Sequence, residues 1–322
     1  MQVLHSLNGL DHAPSVVTVG NFDGVHRGHR MILSSVLDRA HNLGVRSAAV
    51  TFDPHPAHVL FPDNRLPLIT PLTHKLALLA ETGIDLVVVL PFHELRLWSA
   101  TQFAETVLRN GLHAIEVHEG ETFRFGHGAQ ASLADLTQIG RSLNFSVHAY
   151  QPLIAHGAPI SSSRIRSIIA AGNISEARAL LGRPFSIIST PAHGRGYGML
   201  YTVPTINLAP YTELVPSNGV YITMLKVHEG ENTRLFRGVT NAGNRPTFGA
   251  DSFAIETHLL NFEPLTLAES TPLELTFLDR LRDEQRFDSP ESLRAQISRD
   301  IAHANRFFAL ADSMKIEALE IS

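Results

Sequence analysis

"TVGNFDGVHRGH" occupies residues 18–29. It closes the apolar run "SVVTV" (15–19) and leads into a stretch where Ile32, Val36, Ala40 and Leu43 recur at helical spacing ahead of Gly44. A buried strand, a glycine-rich turn and an amphipathic helix make the opening unit of an α/β fold, with Gly44 at the helix C-terminal cap. Gly20 and Gly24 let backbone N–H groups approach a phosphate, and the helix starting near Gly28 points its positive end the same way. His26 and His29 flank Gly28 as H-x-G-H. Two imidazoles there can donate hydrogen bonds to phosphate oxygens whose charge grows during attack on phosphorus. The competing reading is a plain turn with two solvent-facing histidines, in a chain that holds 18.

The alternation continues downstream. "SAAVTF" (47–52) and "DLVVVLPF" (85–92) read as buried strands on either side of the helical "THKLALLAETG" (73–83). Ser99 and Gln102 form a capping box for a helix through Asn110, followed by the strand "HAIEVH", a helix over 133–143 and the strand "FSVHAY" (145–150). Strands alternating with helices predict a doubly wound parallel sheet that binds ligands beyond the strand carboxyl ends, where residues 20–29 lie. "ISSSRIR" (160–166) opens another helix, which Ser161 and Ser162 can cap while Arg164 or Arg166 reaches an anion; taken alone, it is an ordinary capped surface helix.

Past "ISEARALLGRP" (174–184) the helical period stops. "FSIIST", "GVYITMLKV", "LFRGVTNAG", "FAIETHLL" and "LELTFLDRL" are short β-rich runs between turns, which predicts a small antiparallel β-barrel or sandwich. Ser289 with Pro290 then starts a terminal helix over roughly 290–310. The expected domains are therefore 1–183 and 184–322.

Composition narrows the function classes. A chain of 322 residues with 44% hydrophobic and 18% charged residues suits two globular domains. A formal charge of −5 weighs against a broad nucleic-acid footprint and leaves anion binding to local basic groups. The absence of cysteine excludes disulfides, thiolate metal sites and cysteine nucleophiles, and fits a reducing compartment. "MQVLHSLNGLDHAP" lacks a signal-peptide pattern, and runs such as "LVVVL" (86–90) are too short to span a bilayer. The expectation is a cytoplasmic protein with neither nucleic acid nor membrane as partner.

H-x-G-H after a strand, with a later I-S-S-x-x-I-R, resembles the paired signature of the nucleotidylyltransferase superfamily. More closely, "VGNFDGVHRGH", "TFDPHP" (51–56), "ETFRFG" (121–126) and "SSSRIR" resemble, in order, the FMN adenylyltransferase module of bacterial bifunctional riboflavin kinase/FAD synthetases. "LLGRPF", "VPTIN" (203–207), "NGVY" (218–221), "RPTFG" (245–249), "IETHLL" (255–260) and "RLRDEQRFDSPESLRAQI" (280–297) continue the resemblance into the riboflavin kinase module.

The resemblance implies two ATP-dependent reactions on flavin, riboflavin to FMN and FMN to FAD. Gly20, Asn21, Phe22, Asp23, Gly24 and Gly28 would cradle ATP phosphates, with His26 and His29 as charge stabilisers and Ser162 and Arg166 holding phosphates from the opposite side. Asp53, His55, Thr122 and Phe123 would lie around nucleotide or flavin, although "DPHP" is also a stiff post-strand turn. In the second module Thr205 and Asn207 would hold Mg²⁺, and Glu256 would be the base on the ribityl 5′-hydroxyl. From the residues alone, Glu256 interrupts an apolar strand and must be edge-facing, paired or catalytic. Gly194, Gly196 and Gly198 in "HGRGYG" would cover phosphates, or simply form a loop. Arg282 and Glu284 would order a lid around flavin and nucleotide, or form a surface ion pair. Two departures stand out: Thr122 replaces the family's acid or amide, and Thr202–Val203 replaces a Gly–Phe pair. One impaired module, or a non-catalytic flavin-binding protein, are the alternatives. A class I aminoacyl-tRNA synthetase shares H-x-G-H, but this chain has no K-M-S-K-S-like stretch.

Overall fold

The computed structural model describes residues 1–192, 205–230, 232–244, 253–260 and 267–314, which divide into two compact units, Met1–Ser162 and Ser163–Ser322.

In the first unit, β1 (Gln2–Leu4), β2 (Ser15–Val19), β3 (Arg46–Phe52), β4 (Leu86–Leu90), β5 (Ala114–Gly120) and β8 (Ser146–Tyr150) form one sheet in the order β1-β4-β3-β2-β5-β8. All of its pairings are parallel. Short hairpins join β6 (Arg124–Phe125) to β7 (Ala131–Ser132) and β9 (Ile154–Ala155) to β10 (Ala158–Pro159). From β2 the chain steps outward to β3 and β4, then returns to add β5 and β8 on the other side. The reversal falls between β2 and β5, where doubly wound sheets bind ligands. Residues 20–29 leave β2 at that point.

β2 and β4 are buried along their whole length because helices cover both faces of the sheet. Val17, Ala48, Val50 and Val88 face one core cluster, and Val16, Ala49, Val87 and Val89 the other. α1 (Arg27–Leu43) buries Leu33, Val36 and Ala40 against the second cluster, and Gly44 ends it at φ 64. α2 (Pro56–Leu60), α3 (Leu72–Ala80) and α4 (Phe92–Leu95) follow.

The helix expected from Ser99 divides in two. Ser99 Oγ accepts the Gln102 N–H at 3.1 Å and starts α5 (Ala100–Phe103), but Ala104–Gly111 is a π-helix. The wider turn carries Ala104, Val107 and Leu108 into the core. Ser132 and Asp135 cap α6 (Leu133–Leu143) reciprocally.

α7 (Ser162–Ala170) starts on the last residue of the first unit, and α8 (Ile174–Leu181) of the second unit packs on the C-terminal sheet. That sheet contains β11 (Phe185–Ser189), β12 (Pro191–Ala192), β13 (Thr205–Leu208), β14 (Gly219–Glu229), β15 (Asn232–Asn244), β16 (Phe253–Leu259) and β17 (Leu273–Arg282). Their order is β11-β17-β14-β15-β16-β13-β12, antiparallel throughout. Among the described residues it is a curled half-barrel, as the short β-rich runs predict. Inside it, the hydroxyls of Thr223, Thr240 and Thr257 form a buried ladder at 2.7 and 2.9 Å. Ser289 caps α9 (Pro290–Ser313), whose Ala304 and Phe308 pack on Val220, Ile222 and Met224.

Candidate active sites

The loop after β2 is tied down by residues far away in the chain. The Gly20 N–H donates to the Val50 carbonyl at 2.9 Å. The buried carboxylate of Asp23 accepts the N–H groups of Thr70 at 2.9 Å and Ile69 at 3.2 Å, while Thr70 Oγ1 accepts the Gly24 N–H at 2.9 Å. Ser162 Oγ donates to the Asp23 carbonyl at 2.8 Å, so this hydroxyl secures the loop rather than only capping α7. Phe22 (φ 48), Gly24 (φ 83) and Val25 (φ 37) all lie in the left-handed region. For Phe and Val that conformation costs energy and persists because these anchors over-determine it.

Two further anchors carry no motif. Lys75, buried on α3, donates from Nζ to the Asn21 carbonyl and to Thr51 Oγ1, both at 3.0 Å. Burial pushes its pKa down to about 8, against the opposing pull of Asp23 and Asp53. Its one sequence signal is a lysine on the same helical face as the buried Leu78 and Leu79. At the end of β5, buried Glu119 accepts the Val19 N–H at 2.5 Å, and burial drives its pKa well above the ordinary carboxylate value.

His26 caps α1, its Nδ1 accepting the His29 N–H at 3.3 Å. That bond leaves the His26 ring proton on Nε2. The two imidazoles stack with centroids 3.6 Å apart and planes at 15°, and Phe22 meets His29 edge-on at 5.3 Å. Gly28 makes the stack possible: a Cβ there would stand 3.2 Å from the His26 ring. Burial, followed by the charges of His26 and Lys75, holds the His29 pKa well below that of an ordinary imidazole. Its Nδ1 is buried without a hydrogen-bond partner. The helix start therefore presents a His29 imidazole that burial biases toward its neutral form, stacked on the His26 ring.

Other expected residues follow the carboxyl ends of β3 and β5. Asp53 is exposed, its N–H donating to the Leu90 carbonyl at 3.0 Å. His55 is buried and caps α2 by accepting the Ala57 N–H at 3.1 Å. Thr122 is exposed, and half-buried Phe123 stacks on Phe125 at 5.5 Å. Arg166 sits one turn beyond Ser162 on α7.

In the second unit, strand pairing assembles a polar face. Asn207 lies directly opposite Glu256, Thr205 opposite His258, and Asn241 flanks Glu256 from β15. Along β16, Ile255, Thr257 and Leu259 are buried, while Glu256 and His258 alternate onto the other face, half-buried. A hydroxyl, an amide oxygen and a carboxylate on one face are hard oxygen donors of the kind Mg²⁺ takes. Arg282 and Glu284 do not pair with each other: Arg282 grips buried Asp300 of α9 at 2.8–3.1 Å, and Glu284 accepts from Asn218 at 3.3 Å. Gly194, Gly196, Gly198, Thr202 and Val203 lie outside the described residues.

A family model described as FAD synthetase matches residues 9–164, and one described as riboflavin kinase matches 181–308. The bifunctional riboflavin kinase/FMN adenylyltransferase of Pseudomonas fluorescens is 36% identical over 313 residues, 96% of this chain and 98% of that protein. The protein of the same description from Escherichia coli K12 is 32% identical, covering 96% and 99%. A crystal structure titled as a macrolide-efflux protein from Streptococcus pneumoniae matches with a TM-score of 0.84 at 25% identity, over 94% of this chain and 98% of that one. No helix among the described residues is long and apolar enough to cross a membrane.

Proposed function

The chain belongs to the family of bifunctional riboflavin kinase/FMN adenylyltransferases, and from that premise we propose where and how it performs the two reactions. It phosphorylates riboflavin to FMN and adenylylates FMN to FAD, with ATP as the second substrate of each step. Residues 1–183 carry adenylylation and 184–322 carry phosphorylation. Two ATP-consuming steps suit a cytoplasmic location.

In adenylylation, the FMN phosphate attacks the α-phosphorus of ATP and pyrophosphate leaves. Gly20 and Gly24 shape the loop while their own N–H groups are held by the Val50 carbonyl and Thr70 Oγ1. Asn21, Phe22, Asp23 and Gly28 border the phosphates, and the N-terminus of α1 points its positive end at them. His26 and His29 donate to oxygens that gain charge in the transition state, where prepositioned donors act without reorganisation. Ser162 fixes the loop through Asp23, and Arg166 supplies a cation for the departing pyrophosphate. Asp53, His55, Thr122 and Phe123 border the nucleotide or flavin.

In phosphorylation, Glu256 takes the proton from the ribityl 5′-hydroxyl as that oxygen attacks the γ-phosphorus. Thr205 and Asn207 would hold Mg²⁺, which neutralises charge on the ATP phosphates when bound. The observation that supports this half is the register Asn207↔Glu256, with Thr205 two residues away on the same strand.

A split assay with riboflavin or FMN as the supplied flavin tests both halves. Glu256→Gln is expected to lower FMN formation by roughly a hundredfold or more while FAD formation from FMN persists. His29→Ala is expected to do the reverse, by about a hundredfold. Loss of both activities in either variant would contradict separate sites.

A further inference from the structure

The outer edge of the parallel sheet carries a cluster that neither reaction uses. Glu116 and His118 lie two apart on β5 and so share one face, and β8 places His148 directly opposite His118. His118 Nε2 stands 3.3 Å and His148 Nε2 3.4 Å from the same oxygen, Glu116 Oε2. Among the described residues, these three form the group whose histidine, cysteine or carboxylate ligand atoms all lie within 4.8 Å of one another. We propose that Glu116, His118 and His148 form a binding site for a divalent transition ion, with Zn²⁺ as its best-matched occupant.

The spacing is the first argument. Tetrahedral zinc with bonds of about 2.0–2.1 Å holds its ligands about 3.3–3.4 Å apart. Both nitrogen–oxygen edges already have that length, and the third lies within 4.8 Å, so the two rings, stacked with centroids 4.6 Å apart at 28°, tilt toward each other to share an ion. Orientation is the second. His118 Nδ1 lies 2.7 Å from the Tyr150 hydroxyl. Donation of the ring proton to that oxygen leaves the Nε2 lone pair for a metal, the outer-shell arrangement that fixes ligating histidines. Ser146 Oγ contacts His148 Nε2 itself at 3.3 Å, a contact that the metal would replace. Glu116 and His118 are buried, whereas His148 is 43% exposed, so the fourth position opens to solvent.

Charge selects the class of ion. Arg39 grips Glu116 through Nε and Nη2 at 2.7–3.0 Å, so the carboxylate's charge is already shared. A site with one neutralised oxygen donor and two imidazoles is poor for Mg²⁺ or Ca²⁺, which depend on hard, anionic oxygens. It suits ions that bind imidazole strongly, such as Zn²⁺. The bound ion would staple the exposed edge strand β8 to β5.

The test is calorimetric titration of ZnCl₂ into the full chain near neutral pH, with excess MgCl₂ to occupy hard-oxygen sites. The wild type is expected to take up one zinc per chain, and His148→Asn to bind it at least about tenfold more weakly. CoCl₂ should give the visible bands of tetrahedral cobalt in the wild type and lose them in His148→Asn. Because His148 is half-exposed, the variant should fold. Zinc should raise the wild-type thermal midpoint but not that of the variant. Arg39→Gln, which removes the competing cation, is expected to bind zinc more tightly. Wild-type zinc affinity in His148→Asn, or no zinc uptake by the wild type, would overturn the proposal.

Discussion

Lys75 shows how a single buried side chain can hold a functional loop. Its ammonium replaces water with two oxygens, the Asn21 carbonyl and Thr51 Oγ1, and lies close to Asp23 and Asp53. Those partners do not offset its burial, since the pKa still falls to about 8 from 10.5. The folded protein therefore holds this proton less tightly than the unfolded chain does. Between pH 8 and 10.5 the unfolded chain binds the proton and the folded one does not, so this group makes stability rise with pH across that window. Lys75→Met should abolish that contribution, a difference of about 3 kcal/mol between the two ends of the window. Urea midpoints measured across the window for both proteins check it. The same variant should slow adenylylation more than phosphorylation, because it frees the carbonyl that Lys75 holds.

At the scale of elements, the start of α1 works as a unit of cap, glycine and stack. His26 caps the helix, its ring lies over Gly28, and His29 stacks beneath it. Gly28→Ala would place a methyl group 3.2 Å from the His26 ring and displace it. The expected result is a fall in kcat/KM for adenylylation of roughly tenfold to a hundredfold, with phosphorylation retained. The split flavin assay reads both. H-x-G-H, the apolar runs of β2 and β4, and Gly44 were legible because their signals are local and periodic. The π-helix at Ala104–Gly111 was not, since apolar spacing over two turns does not separate i→i+5 from i→i+4 hydrogen bonding. Arg282 shows the same limit: its partner, Asp300, belongs to a helix that packs on the sheet only after folding.

At the scale of the whole molecule, one chain carries two reactions linked by FMN. If FMN passes through solution, an equimolar mixture of Glu256→Gln and His29→Ala should convert riboflavin to FAD, although neither variant alone does so efficiently. Chromatography of the flavins checks this, and no FAD from the mixture would mean that FMN is not shared between molecules. The sequence by itself determined the βα alternation, the switch to short strands near residue 184, the terminal helix and the order of the chemistry-bearing motifs. Those follow from backbone periodicity, turn residues and caps, which act over a few residues. Tertiary structure alone decided what each polar group faces. Asp23 meets Thr70, Lys75 meets Asn21, Glu119 meets Val19, and Glu256 meets Asn207 across distances of 47 to 100 residues in the chain. A buried charge or hydrogen-bonding group is tolerable only with a partner, and that partner is chosen by strand register and loop packing rather than by neighbours in sequence.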